Sequence, residues 1–322
     1  MNSVAKKLSV QALLRCPRCK SRIEAVEEGA PGRAFVCKDP NCELSQAGFP
    51  ALDGVPLLVD FDNSVLSREE VQLTAGSSYK DRSMGFLQKV HGFFWRSDSP
   101  TASNADRFIA EVKRLDARPT ILIIGGGAIG SDADALYRDP DLTLIGTDVY
   151  KSDLTVIIAD GHQLPLASGA VHGVWIQAVL EHVLTPEQVV AEIYRVLVPD
   201  GVVYAETPFM QQVHEGAYDF TRFTLSGHRW LFRHFEEIDG GITRGPAIVM
   251  LWSIRYFVGS LFGSYKIGTM AATGLFWLRY FERLSKRAHA ADGASAVYFL
   301  GRRSARTLKP KDIIAYYKGA QQ

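Results

Sequence analysis

Residues 159–208, ADGHQLPLASGAVHGVWIQAVLEHVLTPEQVVAEIYRVLVPDGVVYAETP, alternate short apolar runs with loops and one amphipathic helix. Residues 156–159 predict a strand that ends at Asp160-Gly161-His162, and residues 173–177 predict a second. Thr185-Pro186-Glu187 reads as a helix start: a threonine N-cap, a proline in the first turn and an acid near the positive helix end. Val189, Val190, Ile193, Val196 and Leu197 recur at helical spacing and predict a face packed on a sheet. Asp200 stands in the following turn, where its short polar side chain tolerates a left-handed backbone. The last strand closes at Glu206-Thr207-Pro208. Acidic and imidazole groups thus stand at strand ends, where open α/β sheets bind ligands.

Upstream, residues 120–124 (TILII) form an apolar, β-branched run suited to a buried parallel strand. Gly125-Gly126-Gly127-Ala128-Ile129-Gly130 follows, and then a short polar helix is expected from about Asp132. Gly125, Gly127 and Gly130 fit G-x-G-x-x-G, a loop whose backbone can approach a nucleotide closely. Residues 142–148 predict the next strand, ending in Asp148, 18 residues beyond Gly130. A carboxylate there can accept from both ribose hydroxyls. Taken alone, this half does not separate a dinucleotide from S-adenosylmethionine (SAM), and the loop GGGAIG leans toward the dinucleotide pattern.

The downstream block resembles class I SAM-dependent methyltransferases of the type 11 kind. Leu164-Pro165-Leu166, Leu180-Glu181-His182-Val183, Arg195 to Gly201 and Glu206-Thr207-Pro208 match that pattern in order over fifty residues. The resemblance implies a Rossmann-like seven-stranded α/β sheet with helices on both faces and SAM as cofactor. It implies that Asp160 meets the adenine amine and that Gly161 and His162 line the cofactor. Gln177, after the fourth strand, joins Gly125, Gly127, Gly130 and Asp148 in the expected SAM site. One position departs from the family: Ile123 stands where an acid usually helps to hold the methionine amino group.

All four cysteines lie within 27 positions, as Cys16-x2-Cys19 and Cys37-x4-Cys42. Two close thiolate pairs on tight turns can close a tetrahedral Zn2+ site. Residues 29–32 read as a turn between two short strands, the second over 34–37. The module resembles the zinc ribbon of the tRNA-methyltransferase activator family over about residues 12–60, including Gly48-Phe-Pro-Ala-Leu-Asp-Gly-Val-Pro-Leu-Leu58. That resemblance implies a structural zinc and a partner-binding or packing role.

Methyl transfer needs alignment first and a general base only where the acceptor must lose a proton. Acceptor-side candidates are Gln177, Glu181, His182, His214, Glu215, Tyr218, Asp219, Arg222 and His228, of which His182, His214 and Asp219 are the expected catalytic set. Thr224 and Ser226 predict a helix start, with Trp230 packed in the core. Residues 246–284 form an apolar, aromatic insertion between the sixth and seventh strands, the seventh expected over 296–301. Its longest uncharged run, 267–278, is twelve residues, short of the roughly 20 that span a membrane. Three readings fit it: a lid over an apolar acceptor pocket, a homodimer interface, or an interfacial membrane contact.

The expected organisation is a zinc ribbon over 1–60, a helical linker over 61–118, a methyltransferase domain over 119–303 and a tail over 304–322. Phe86, Phe93, Phe94 and Trp95 of the linker are expected to cover the cofactor. Net charge is +1, so no global field draws nucleic acid. Residues 1–38, however, carry eight basic and three acidic residues, which read as a solvated face or as a docking patch for RNA or an acidic partner. No secretory signal precedes the cysteines, so a cytoplasmic location, with membrane association through the insertion, is the expectation. The expected acceptor is a small molecule or a sugar- or lipid-linked group; RNA methylation and a non-catalytic scaffold that keeps the fold are the alternatives.

Overall fold

The computed structural model describes residues 10–26, 33–71 and 99–321. The turn expected over 29–32 and the aromatic residues Phe86, Phe93, Phe94 and Trp95 lie outside the described residues.

The N-terminal module pairs β1 (Ile23–Ala25) with β2 (Phe35–Cys37) antiparallel. A second hairpin pairs β3 (Ala51–Leu52) with β4 (Val55–Pro56). These elements are too short to bury much of their own surface, and they dock on the larger domain instead. Leu14 bridges Leu166, and the Arg15 N–H donates to the Pro165 carbonyl at 2.9 Å. Leu57 then bridges Ile158 in parallel, and the Leu58 N–H donates to the Ile158 carbonyl, so residues 57–58 extend the main sheet at its edge.

The main sheet holds β5 (Thr120–Ile124), β6 (Thr143–Asp148), β7 (Ile157–Ile158), β8 (Val171–Gln177), β9 (Leu197–Pro208), β10 (Phe235–Arg244) and β11 (Ala296–Arg303). Their order is β10-β11-β9-β8-β5-β6-β7. The first five in chain order run parallel, while β11 is antiparallel to both β9 and β10. From β5 the chain steps outward through β6 and β7, then returns to β8 on the other side. That reversal makes the topological switch point between β5 and β8, where such sheets bind ligands.

Alternation along β5 explains the two cores. Ile121 and Ile123 face one cluster with Phe108, Val112 and Leu136; Leu122 and Ile124 face another with Val189, Ile193 and Val196. Phe108 and Val112 come from the helix Thr101–Lys113, which covers a face of the sheet. The segment expected as a linker therefore contributes core to the central domain. Trp175 stacks on Tyr204 at 4.0 Å and meets Phe108 edge-on at 5.5 Å.

The helix Pro186–Val196 buries the face that its sequence predicts. Thr185 stands at its N-cap, but its side chain caps no backbone N–H. Asp200 has φ +61°, the left-handed turn its residue type suits. Thr224 does cap Leu225–Leu231, accepting from the Gly227 N–H at 3.0 Å. Trp230, expected in the core, is only half-buried; Leu231 and Phe232 fill that role. β11 ends at Arg303, two residues beyond the expected strand.

Candidate active site

Gly125 ends β5 with φ +75°, and a Cβ there would lie 2.4 Å from Val179 Cγ2, so only glycine fits the turn. The chain then folds back on Asp148 at the end of β6. The Gly127 N–H donates to Asp148 Oδ2 at 2.8 Å, and the Val149 N–H donates to Oδ1 at 2.7 Å. The Tyr150 N–H is a third backbone donor to this carboxylate, and with about four lone-pair sites in all, capacity remains for one ribose hydroxyl. Burial pushes the Asp148 carboxyl up to about 6 against the opposing backbone donors. Gly125, Gly130, Ile123, Tyr137, Trp175 and Gln177 line a crevice across the switch point. Gln177 is anchored there, its amide donating to the Ser131 carbonyl at 3.1 Å and to Glu206 at 3.4 Å. Ile123 is buried in the sheet, so the acid missing from that position is not replaced in place.

Asp160 follows β7 and is buried. Its Oδ1 accepts from the His162 backbone N–H at 2.9 Å and meets His162 Nδ1 at 2.6 Å, while Oδ2 accepts from Ser64. Burial opposes its charge, yet the His162 and Ser64 donors hold the carboxyl below its ordinary range. His162 Nε2 accepts from the Thr185 N–H at 3.2 Å, so both ring nitrogens are engaged in positioning. Gly161, between them, begins a short 3-10 turn. Ser64 belongs to the segment after the N-terminal module, a contribution no local motif announces.

The acceptor-side candidates converge at the ends of β8 and β9. His182 and His214 have ring centroids 4.9 Å apart, at 74°. Glu181 lies between them, fully buried, with Oε1 3.5 Å from His182 Nε2 and 3.7 Å from His214 Nε2. Burial pushes its carboxyl up to about 8. The Glu181 carbonyl accepts from the Phe220 N–H at 2.8 Å, which joins the loop after β8 to the loop after β9. Asp219 accepts from Arg222 through both oxygens and from the His214 N–H at 2.9 Å. Chiefly because of Arg222, its carboxyl is held down at about 2. Such a group stays ionised at neutral pH and is a weak proton acceptor, so the geometry gives Asp219 an anchoring place beside His214 rather than that of a base. Of the other candidates, His228 is buried against Thr207 and remote in role, with Nε2 3.1 Å from Oγ1. Tyr218 and Glu215 are exposed.

Sequence reasoning named Glu181 among acceptor-side groups but not in the catalytic set. Its neighbour His182 was the available signal; its burial depends on the return of residues 209–222, which spacing does not show. Glu206 was read only as a strand end. It accepts from Thr101 Oγ1 at 2.9 Å and Tyr204 at 3.0 Å, and burial raises its carboxyl.

The four cysteine sulfurs lie within 4.8 Å of one another, with Cys16–Cys42 at 3.8 Å and Cys19–Cys37 at 3.4 Å, and none is in a disulfide. A tetrahedral ion with bonds of about 2.3 Å sets sulfurs about 3.8 Å apart, so the cluster has the size of a zinc site. Backbone N–H groups of Arg18 and Cys19 aim at Cys16 Sγ. Three basic residues around it are ion-paired: Arg18 with Asp60 and Asp62, Lys20 with Glu192 at 2.8 Å, and Lys38 with Glu24 in an exposed pair at 2.7 Å.

Residues 126–205, from the glycine loop to the fifth strand of the parallel set, match the family described as Methyltransferase domain. This stretch is similar to a methyltransferase domain. The enzyme class read from the sequence, a SAM-dependent methyltransferase, stands on that match. No curated protein matches the chain. Among solved structures, a complex of the Haloferax volcanii Trm112 methyltransferase activator with a methyltransferase is similar at 15% identity. The match covers 65% of this chain and 96% of that one, with a TM-score of 0.40. Haemonchus contortus phosphoethanolamine N-methyltransferase 2, in complex with SAM, is 14% identical over 70% of this chain and 59% of that one, with a TM-score of 0.40. Burkholderia thailandensis 1,6-didemethyltoxoflavin-N1-methyltransferase is 14% identical over 75% and 92%, with a TM-score of 0.38.

The segment between β10 and β11 is a helical hairpin, Pro246–Leu261 and Tyr265–Gly274, followed by Phe276–Leu284. Only Ile248, Leu251, Gly259, Gly268 and Ala272 are buried in it. Phe257, Leu261, Phe262, Tyr265 and Met270 are each more than 60% exposed. Glu282 Oε2 accepts from the Ala247 N–H at 2.8 Å and ties the last segment to the start of the first helix. Among the described residues, no helix is long and apolar enough to cross a membrane.

Proposed function

We propose that this methyltransferase methylates a polar atom of a lipid-linked or otherwise apolar acceptor. The carrying observation is the placement of the exposed hairpin beside the acceptor-side cluster. Tyr256 donates to the Val213 carbonyl at 2.8 Å, and Gln212 donates to Ser253 at 3.2 Å, so the apolar hairpin is bonded to the loop that carries His214. A contiguous exposed apolar surface marks an interaction site, and here it adjoins the chemistry.

SAM supplies an electrophilic methyl group on a sulfonium. Asp148 would accept from a ribose hydroxyl and Asp160 from the adenine amine, with Gly125, Gly127, Gly130, Gly161, His162 and Gln177 shaping the pocket. His182 and His214 would line the acceptor position, with Glu181 and Asp219 holding their rings in place. Cys16, Cys19, Cys37 and Cys42 would hold a structural Zn2+, which fixes the module that extends the sheet and presents Ser64 to Asp160. The ion pairing of Arg18, Lys20 and Lys38 takes part of the N-terminal basic charge away from an RNA partner.

Incubation of the full chain with methyl-tritiated SAM and either a lipid extract or total RNA tests the reading. Label should enter the lipid phase and survive RNase. Label confined to an RNase-sensitive fraction would reject the lipid acceptor while leaving methyl transfer intact.

A further inference from the structure

We propose that Glu181, His182 and His214 form a binding site for a divalent ion of the zinc kind, separate from the four cysteines. The three ligand atoms lie within 4.8 Å of one another. Glu181 Oε1 is 3.5 Å from His182 Nε2 and 3.7 Å from His214 Nε2. Tetrahedral bonds of about 2.0–2.1 Å would set such atoms roughly 3.3–3.4 Å apart, so small side-chain shifts close the site.

Two independent features point to a ligand. Glu181 is 0% exposed, and among the described residues its carboxylate oxygens have no hydrogen-bond donor beyond its own backbone N–H. An acid buried this way is costly unless it is paired or coordinates a metal. Each histidine, moreover, presents its Nε2 to that carboxylate while its Nδ1 is taken from behind. His182 Nδ1 donates to the Tyr218 carbonyl at 2.7 Å. His214 Nδ1 lies 3.3 Å from Asp219 Oδ2, and Arg222 holds that carboxylate in place. A carbonyl or carboxylate behind one ring nitrogen is the usual support for a histidine that binds metal through the other.

Two imidazoles and one carboxylate make a three-ligand set that leaves a fourth position open, as catalytic zinc sites do. At the ends of β8 and β9, that position would take an oxygen or nitrogen of the acceptor and lower its pKa. Only this last role rests on the methyl-transfer reading, because metal uptake is measured without cofactor or acceptor.

The full chain is equilibrated with ZnCl2, desalted and assayed for zinc by mass spectrometry, beside His214→Gln and Glu181→Gln. Thermal melting confirms that each variant is folded, and His182→Gln replaces any that is not. The wild type should hold one zinc per chain more than each variant. Reconstitution with Co2+ should give a wild-type-minus-variant spectrum with d–d bands and no thiolate charge-transfer band. Equal zinc content in the wild type and the folded variants, or a difference spectrum carrying the thiolate band, would overturn the assignment.

Discussion

Asp148 shows how one side chain links backbone geometry to cofactor affinity. It closes the glycine loop through the Gly127 N–H while burial raises its carboxyl to about 6. In the proposed SAM site its ionised form would accept from ribose, and protonation would remove acceptor capacity. SAM affinity should be full above pH 6 and fall as pH drops below it, by up to about tenfold per unit. Calorimetry at pH 5 and 7 checks this, and Asp148→Asn should bind weakly at both values with little slope. His228 gives the second residue-scale expectation. It is fully buried, and burial holds its imidazole down at about 3. The unfolded chain takes up that proton near pH 6.5, the native state only near 3. Stability is therefore lost as pH falls from 6.5 towards 3, at up to about 1.4 kcal/mol per unit. Unfolding free energies from urea titrations at pH 7 and 5 should differ less in His228→Gln than in the wild type, by about 2 kcal/mol. Parallel losses would remove His228 from the acid response.

At the scale of elements, the strands and the glycine loop were legible because their signals are local. The β-branched run at 120–124 and the apolar stripe of the 186–196 helix each state their own environment. Contacts between distant segments were not legible. Glu181 is buried by the return of residues 209–222, and residues 57–58 join the sheet edge at Ile158. Neither follows from spacing, because each needs two segments far apart in sequence to meet. The insertion falls between these cases: its apolar composition was plain, but its exposure emerged only from the packing. Interfacial binding scales with apolar area inserted at the surface. Leu261→Asp with Phe262→Asp, at the hairpin turn, should abolish flotation with liposomes and leave SAM affinity within about twofold. Failure of the intact chain to float, with a dimer by sedimentation, would assign the hairpin to a second copy instead.

For the whole molecule, the N-terminal module, the Thr101–Lys113 helix and the sheet make one structural unit around the switch point. The module edges the sheet through Leu58 and supplies Ser64 to Asp160, while Thr101 bonds Glu206 on the far side. The two halves of the cleft are thus held by segments that precede the matched methyltransferase stretch. In the proposed function, the cleft at the ends of β5, β6 and β8 binds SAM through Asp148. Isothermal calorimetry of the full chain with SAM tests it most directly. One SAM should bind per chain, and Asp148→Ala should weaken it by about ten- to a hundredfold, the effect of losing a hydrogen-bonded charge. No binding by the folded wild type, or equal affinity in Asp148→Ala, would contradict the claim.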